Sequence, residues 1–313
     1  SYKEFHKRSV EDRNGFWGEQ AQLVHWNKQP EQVYDFSKPP FVKWFVGGET
    51  NLCYNAVDRH AETNPNGKAL VYISTETDEE KIYSFSELRT EVMRMAAIYQ
   101  ELGVKKGDRV LIYMPMIAEA CFAMLACTRI GAIHSVVFGG FASHSLATRI
   151  DDAKPTVIVS SDAGMRGGRP VPYKHLLDEA IGLAEHKPAA VLMVNRGLDK
   201  EMNVVAGRDV DYATLRAKHM DAQVPVTWLE SSEPSYILYT SGTTGKPKGV
   251  QRDTGGYAVA LAASMKHIYC GNPGETFFST SDIGWVVGHS YIIYGPLING
   301  MATIMYEGTP LRP

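Results

Sequence analysis

Disulfide chemistry has little to work with in this sequence. Its 313 residues include four cysteines, Cys53, Cys121, Cys127 and Cys270, and the nearest two lie six positions apart. With no Cys-x-x-Cys pair, a zinc ribbon or a disulfide framework is disfavoured and a reducing compartment is expected. That compartment is the cytoplasm, or the mitochondrial matrix if a transit peptide has been removed. Charge of one sign is lacking as well. The 32 Lys and Arg against 35 Asp and Glu give a net charge of −3, which argues against nucleic-acid and anionic-membrane partners. Long apolar runs are missing too. The most apolar region, 121–138, is interrupted by Arg129 and His134, so no membrane span is expected. The opening "SYKEFHKRSVEDRNGFW" mixes acids with bases and does not read as a signal peptide.

From Leu70 onward short apolar runs alternate with helical patterns. "LVYIS" and "IYSFS" read as strands around an acidic turn. In "SELRTEVMRMAAIYQELG" the apolar residues Leu88, Val92, Met95, Tyr99 and Leu102 recur at helical spacing, with Ser86 as a candidate cap and Gly103 as the stop. "RVLIYM", "AIHSVVF", "TVIVSS", "AVLMV" and "SYILYT" follow as strands between helical segments. This order predicts an α/β fold, with parallel or mixed sheets carrying helices on both faces. Residues 1–60 are rich in Trp, Tyr and Pro and only weakly periodic. They are expected to wrap the body at 61–313 as an ordered extension, because exposing Trp17, Trp26 and Trp44 would be costly.

The chemically distinctive stretch is "YILYTSGTTGKPKGV", from Tyr236 to Val250. Its glycines let backbone approach a ligand closely, its hydroxyls and free N–H groups can donate to anionic oxygens, and its lysines add charge. A plain loop between strand and helix needs fewer of these. The Walker pattern fails, because Thr240 stands where its first glycine belongs and Pro247 replaces the Mg²⁺-binding hydroxyl. No Gly-x-Gly-x-x-Gly follows the first strand, so a dinucleotide fold lacks its signature. Two other stretches stand out. "SDAGMRGGRPVPYK" places Arg166 and Arg169 around two glycines, a receptor for phosphate or simply two surface arginines. "DIGWVVGHSY" carries Trp285, Val286, Val287 and His289, which on composition alone suit a core.

"YTSGTTGKPKG" resembles the phosphate signature of the adenylate-forming, AMP-binding acyl-CoA synthetase family. The resemblance extends over the whole chain. "SDIGWVVGHSYIIYGPL" is similar to the short-chain acid group, and "GVQRDTGGYAVALAASM" to its propionate-activating members. It implies two half-reactions: carboxylate and MgATP give an acyl-adenylate and pyrophosphate, then the thiol of coenzyme A displaces AMP. On this basis Thr240, Ser241, Gly242, Thr243, Thr244 and Gly245 bind the ATP phosphates and Lys248 is catalytic. Phe138, Gly139, Gly140, Arg166, Arg169 and Val287 contact coenzyme A, and Trp285, Val286, Val287 and His289 form the acyl pocket. Propionate is the expected acid, with acetate or another short acid as the alternative. A non-catalytic nucleotide- or CoA-binding fragment is the reading from a different class. The family's Mg²⁺, adenine and ribose residues and its mobile C-terminal domain fall beyond Pro313, so no metal ligand is expected here. The chain alone is expected to be an inactive N-terminal portion.

Overall fold

The computed structural model describes residues 1–240 and 247–309. Its centre is a seven-stranded sheet. Across it run Asp209–Asp211, Ala190–Val194, Val157–Ser161, Arg109–Tyr113, Ile133–Val136, Pro234–Thr240 and Lys248–Asp253. The first six are parallel and the last is antiparallel. Both faces are buried, as the short, nearly all-apolar strands require. Val110 and Ile112 face one core while Leu111 and Tyr113 face the other. Helix Ala118–Ile130 covers the first face, and helices Ser143–Ala153 and Tyr173–Leu183 cover the second. The expected α/β class is therefore observed. A second sheet orders Thr276–Phe277, Ala302–Glu307, Lys68–Ser74 and Glu79–Ser84, the last antiparallel to its neighbour.

Two local expectations are corrected. Ser84, not Ser86, caps helix Phe85–Glu101. Its Oγ accepts from Glu87 N at 3.2 Å, and Glu87 Oε2 accepts from Ser84 N at 2.8 Å. This reciprocal box satisfies two otherwise orphaned donors. Ser84→Ala is expected to cost about 1 kcal/mol in urea unfolding, whereas Ser86→Ala should be silent. Equal effects would refute the assignment. The second correction concerns the phosphate-loop stretch. A strand, Lys248–Asp253, comes before helix Gly255–His267 and pairs antiparallel with Pro234–Thr240. That strand is almost entirely exposed and polar, which suits a sheet edge and leaves no alternation to read.

The first 60 residues pack onto the body. Trp26 is buried and its indole N–H donates to Ala21 O at 2.9 Å. Trp17 and Trp44 meet edge to face with centroids 6.0 Å apart. The Asn51 amide donates to Thr128 O at 2.7 Å and to Thr227 O at 2.8 Å. Buried Asp58 pairs with Arg129 at 2.8 Å.

Candidate functional site

In an open parallel sheet, ligands bind beyond the carboxyl ends of adjacent strands whose following helices leave on opposite faces. Arg109–Tyr113 and Ile133–Val136 are such a pair. A cavity of about 500 Å³ opens just past them. Pro115 and Met116 line it from the first strand's exit, and Phe138, Gly139, Gly140 and Phe141 from the second's. Gly164, Arg166 and Tyr173 close one side, and Asp282, Glu307 and Gly308 another.

Arg166 reaches this cavity from a small hairpin. Strands Gly164–Arg166 and Arg169–Val171 pair so that Arg166 faces Arg169. Gly167 and Gly168 form the turn with φ of +61° and +77°, values that a residue with Cβ adopts at a cost. Neither guanidinium has a carboxylate partner among the described residues. Arg169 does not line the cavity.

A second cavity, of about 740 Å³, lies beside the first and shares Phe141 with it. Thr240, Pro247, Trp285, Val286, Tyr239 and Arg149 are among its lining residues. Trp285 contacts Phe138 and Phe141, with centroids 5.3 Å and 6.1 Å away, so one aromatic wall separates the two spaces. Gly284 makes this approach possible, because a Cβ there would come within 2.7 Å of Phe138 Cα. Lys248 stands directly opposite Thr240, at the loop end of the two strands. The expected phosphate residues Ser241, Gly242, Thr243, Thr244 and Gly245 lie outside the described residues.

The "WVVGH" residues divide. Trp285, Val286 and Val287 are 45%, 41% and 46% exposed, which is not how core residues sit. Val287 lines neither cavity. His289 is fully buried, stacked on His134 and tilted against Tyr236. Its Nδ1 lies 3.0 Å from Trp285 O. A carbonyl only accepts, so Nδ1 carries the proton. Burial pushes its pKa down to about 4 and keeps the ring neutral. The helix that starts at Val286 contains a π-type stretch over His289–Tyr294, a distortion often found at functional sites.

Three site residues escaped the sequence reading. Arg149 is buried with its guanidinium 4.4 Å from the Phe141 centroid and 5.5 Å from that of Tyr239. Tyr239 in turn donates to Asp152 Oδ2 at 2.5 Å. Asp282 sits in the wall of the first cavity, where burial raises its carboxyl pKa and Gly284 N donates to it at 2.7 Å. Glu76 reaches the first cavity from the second sheet's turn. Only the i, i+3 spacing of Arg149 and Asp152 was visible in sequence, and it reads equally as a surface pair.

Thr240 and Pro247 beside one cavity and the arginine hairpin beside the next thus lie on adjoining spaces of one α/β sheet. The chain belongs to the AMP-binding enzyme family, whose pattern it matches over residues 57–313, while residues 2–56 match the acetyl-coenzyme A synthetase N-terminus. It is 62% identical over its full length to the propionate–CoA ligase of Salmonella typhimurium, covering 50% of that protein. It is 49% identical over 99% of its length to the mitochondrial acyl-CoA synthetase short-chain family member 3 of Rattus norvegicus, covering 45% of it. Among solved structures, acetoacetyl-CoA synthetase from Streptomyces lividans superposes with a TM-score of 0.89 at 29% identity, over 98% of this chain and 46% of that one. The chain spans about half the length of the curated relatives it matches.

Proposed function

We propose that this chain, within a polypeptide of its relatives' length, joins propionate to coenzyme A through a propionyl-adenylate, releasing pyrophosphate and AMP. The observation that carries this reading is the pair of cavities sharing one aromatic wall. A two-step transfer needs an acyl group formed in one space to be met by a thiol from the next. The cavity with Thr240, Trp285 and Val286 is assigned to the acid and the ATP phosphates, with Lys248 at its rim. The cavity with Phe138, Gly139, Gly140 and Arg166 is assigned to coenzyme A, with Arg169 on the outer strand of the hairpin. Val287 and His289 are assigned supporting places, the first at the exposed mouth and the second behind Trp285. In this scheme residues 1–60 brace the body formed by 61–313.

Mg²⁺ is proposed to arrive on the ATP phosphates. Among the described residues no group of three His, Cys, Asp or Glu side chains lies close enough to hold it, and no step is assigned to it. A reducing compartment such as the cytoplasm is proposed from the cysteine spacing, which offers no Cys-x-x-Cys pair. No helix among the described residues is long and apolar enough to cross a membrane.

Apolar Val286 and Val287 favour propionate over acetate, but one methylene is worth only about 0.8 kcal/mol. Transfer alone is thus worth only about fourfold, and a shaped pocket raises the expected preference to about 10- to 200-fold. The test is acid-dependent pyrophosphate release with ATP, Mg²⁺ and acids from acetate to butyrate, on this chain and on one extended to its relatives' length. Release by the extended chain, highest with propionate, is the expected result. Release peaking with acetate would overturn the acid assignment. No acid-dependent release by the extended chain would leave the chain a binding module.

A further inference from the structure

Glu76 lies in the turn after strand Lys68–Ser74, in the second sheet. Its carboxylate accepts from Gly167 N at 2.9 Å and from Gly168 N at 2.6 Å, across 91 and 92 positions of sequence. Those two N–H groups belong to the turn whose flanks carry Arg166 and Arg169. Two like charges facing each other across a hairpin repel and splay it. A carboxylate seated on the turn between them offsets that repulsion and fixes the glycine conformations with two charge-assisted bonds. Without it, a two-glycine turn has more freedom to lose than any other sequence.

We propose that Glu76 is a positioning residue for the arginine hairpin: it holds the turn so that Arg166 presents its guanidinium to the first cavity. Glu76 itself lines that cavity, so its negative charge also screens where an anionic ligand group can settle. A phosphate is directed to the guanidinium and away from the turn N–H pair, which is already occupied. The role rests on the assignment of that cavity to coenzyme A. The second sheet is thereby joined to the arginine hairpin, which forms a two-stranded sheet of its own.

The test uses the chain extended to its relatives' length, in three variants: Glu76→Ala, Arg166→Ala and the double. Two half-reactions are read separately. Acid-dependent ATP–pyrophosphate exchange reports adenylation, and thioester formation against coenzyme A concentration reports the second step. Glu76→Ala is expected to raise KM for coenzyme A about tenfold, as two exposed charge-assisted bonds are lost. Exchange should stay within about twofold of the parent, which a general collapse of the fold would not permit. Hydrogen exchange at the amides of Gly167 and Gly168 should speed up. In the Arg166→Ala background, Glu76→Ala should add less than about twofold, because the two act as a unit.

If Arg166→Ala raises KM for coenzyme A and Glu76→Ala does not, the positioning role is overturned while the cavity assignment stands. A lowered KM in Glu76→Ala would also overturn it, making the carboxylate a competitor. If neither variant changes the coenzyme A dependence, the cavity assignment itself fails and takes the Glu76 role with it.

Discussion

Replacing Lys248 by alanine in the extended chain is expected to slow acid-dependent pyrophosphate release by about 10²- to 10³-fold. Adenylation drives an anionic carboxylate against an anionic α-phosphate, and negative charge then builds on the departing pyrophosphate. A fixed positive charge beside that path lowers the barrier far more than it strengthens ATP binding. Lys248 is exposed and makes no ion pair with the described residues, so its charge is not spent on the fold. Its place is set by the ladder, in which it pairs with Thr240 at the end of the two strands. Stability should change by less than about 0.5 kcal/mol, as for most exposed substitutions. Lys248→Arg should recover part of the rate, because charge returns without the compact geometry of an ammonium. A Lys248→Ala variant within threefold of the parent rate would remove Lys248 from the chemistry.

Much of this arrangement was legible in sequence where a local pattern carried it. The central strands were readable because each is a short apolar run between helical segments, and burial on both faces demands that composition. The stretch from Thr240 stands out in sequence because few loops need so many glycines and hydroxyls together, though residues 241–246 lie outside the described ones. What escaped was settled by tertiary contact. Lys248–Asp253 pairs with Pro234–Thr240 through backbone alone, and its side chains show no periodicity. Ser86 looked like a cap because a serine opens the helical pattern. Yet strand Glu79–Ser84 ends at Ser84, and the chain turns there. His289 belongs to a motif whose neighbours are exposed, and its spacing of three and four from Val286 and Trp285 would put it on their face of a regular helix. Its burial comes instead from tertiary packing against His134 and Tyr236, at the start of the π-type stretch. Glu76 could not be seen at all, since nothing in "TETDEEK" distinguishes it from the other acids of a solvated turn.

The largest expected loss of stability comes from a contact between the central and second sheets. Arg196 follows strand Ala190–Val194 of the central sheet, and Glu307 ends strand Ala302–Glu307 of the second. The guanidinium grips the carboxylate at both ends, Nη1 to Oε1 at 2.7 Å and Nη2 to Oε2 at 2.6 Å. The side chains are only 11% and 3% exposed. Tyr72 OH and Ser74 Oγ also donate to Glu307 Oε2, at 3.1 Å and 2.9 Å. Arg196→Ala removes the one cation paired with it among the described residues and leaves a buried carboxylate held by two hydroxyls. Such half-broken pairs cost about 3–5 kcal/mol, because the remaining charge has lost its partner but not its burial. Adding Glu307→Gln to Arg196→Ala should therefore restore part of the loss, since a neutral amide has less to lose by staying buried. Urea unfolding of the extended chain measures both, and hydrogen exchange across Ala302–Glu307 shows where the structure opens. Arg196→Ala should free those amides before the central sheet. A loss under about 1 kcal/mol would put Arg196–Glu307 with ordinary surface pairs. Glu307 also lines the first cavity, so the contact that joins the sheets shapes the wall against which coenzyme A is proposed to lie.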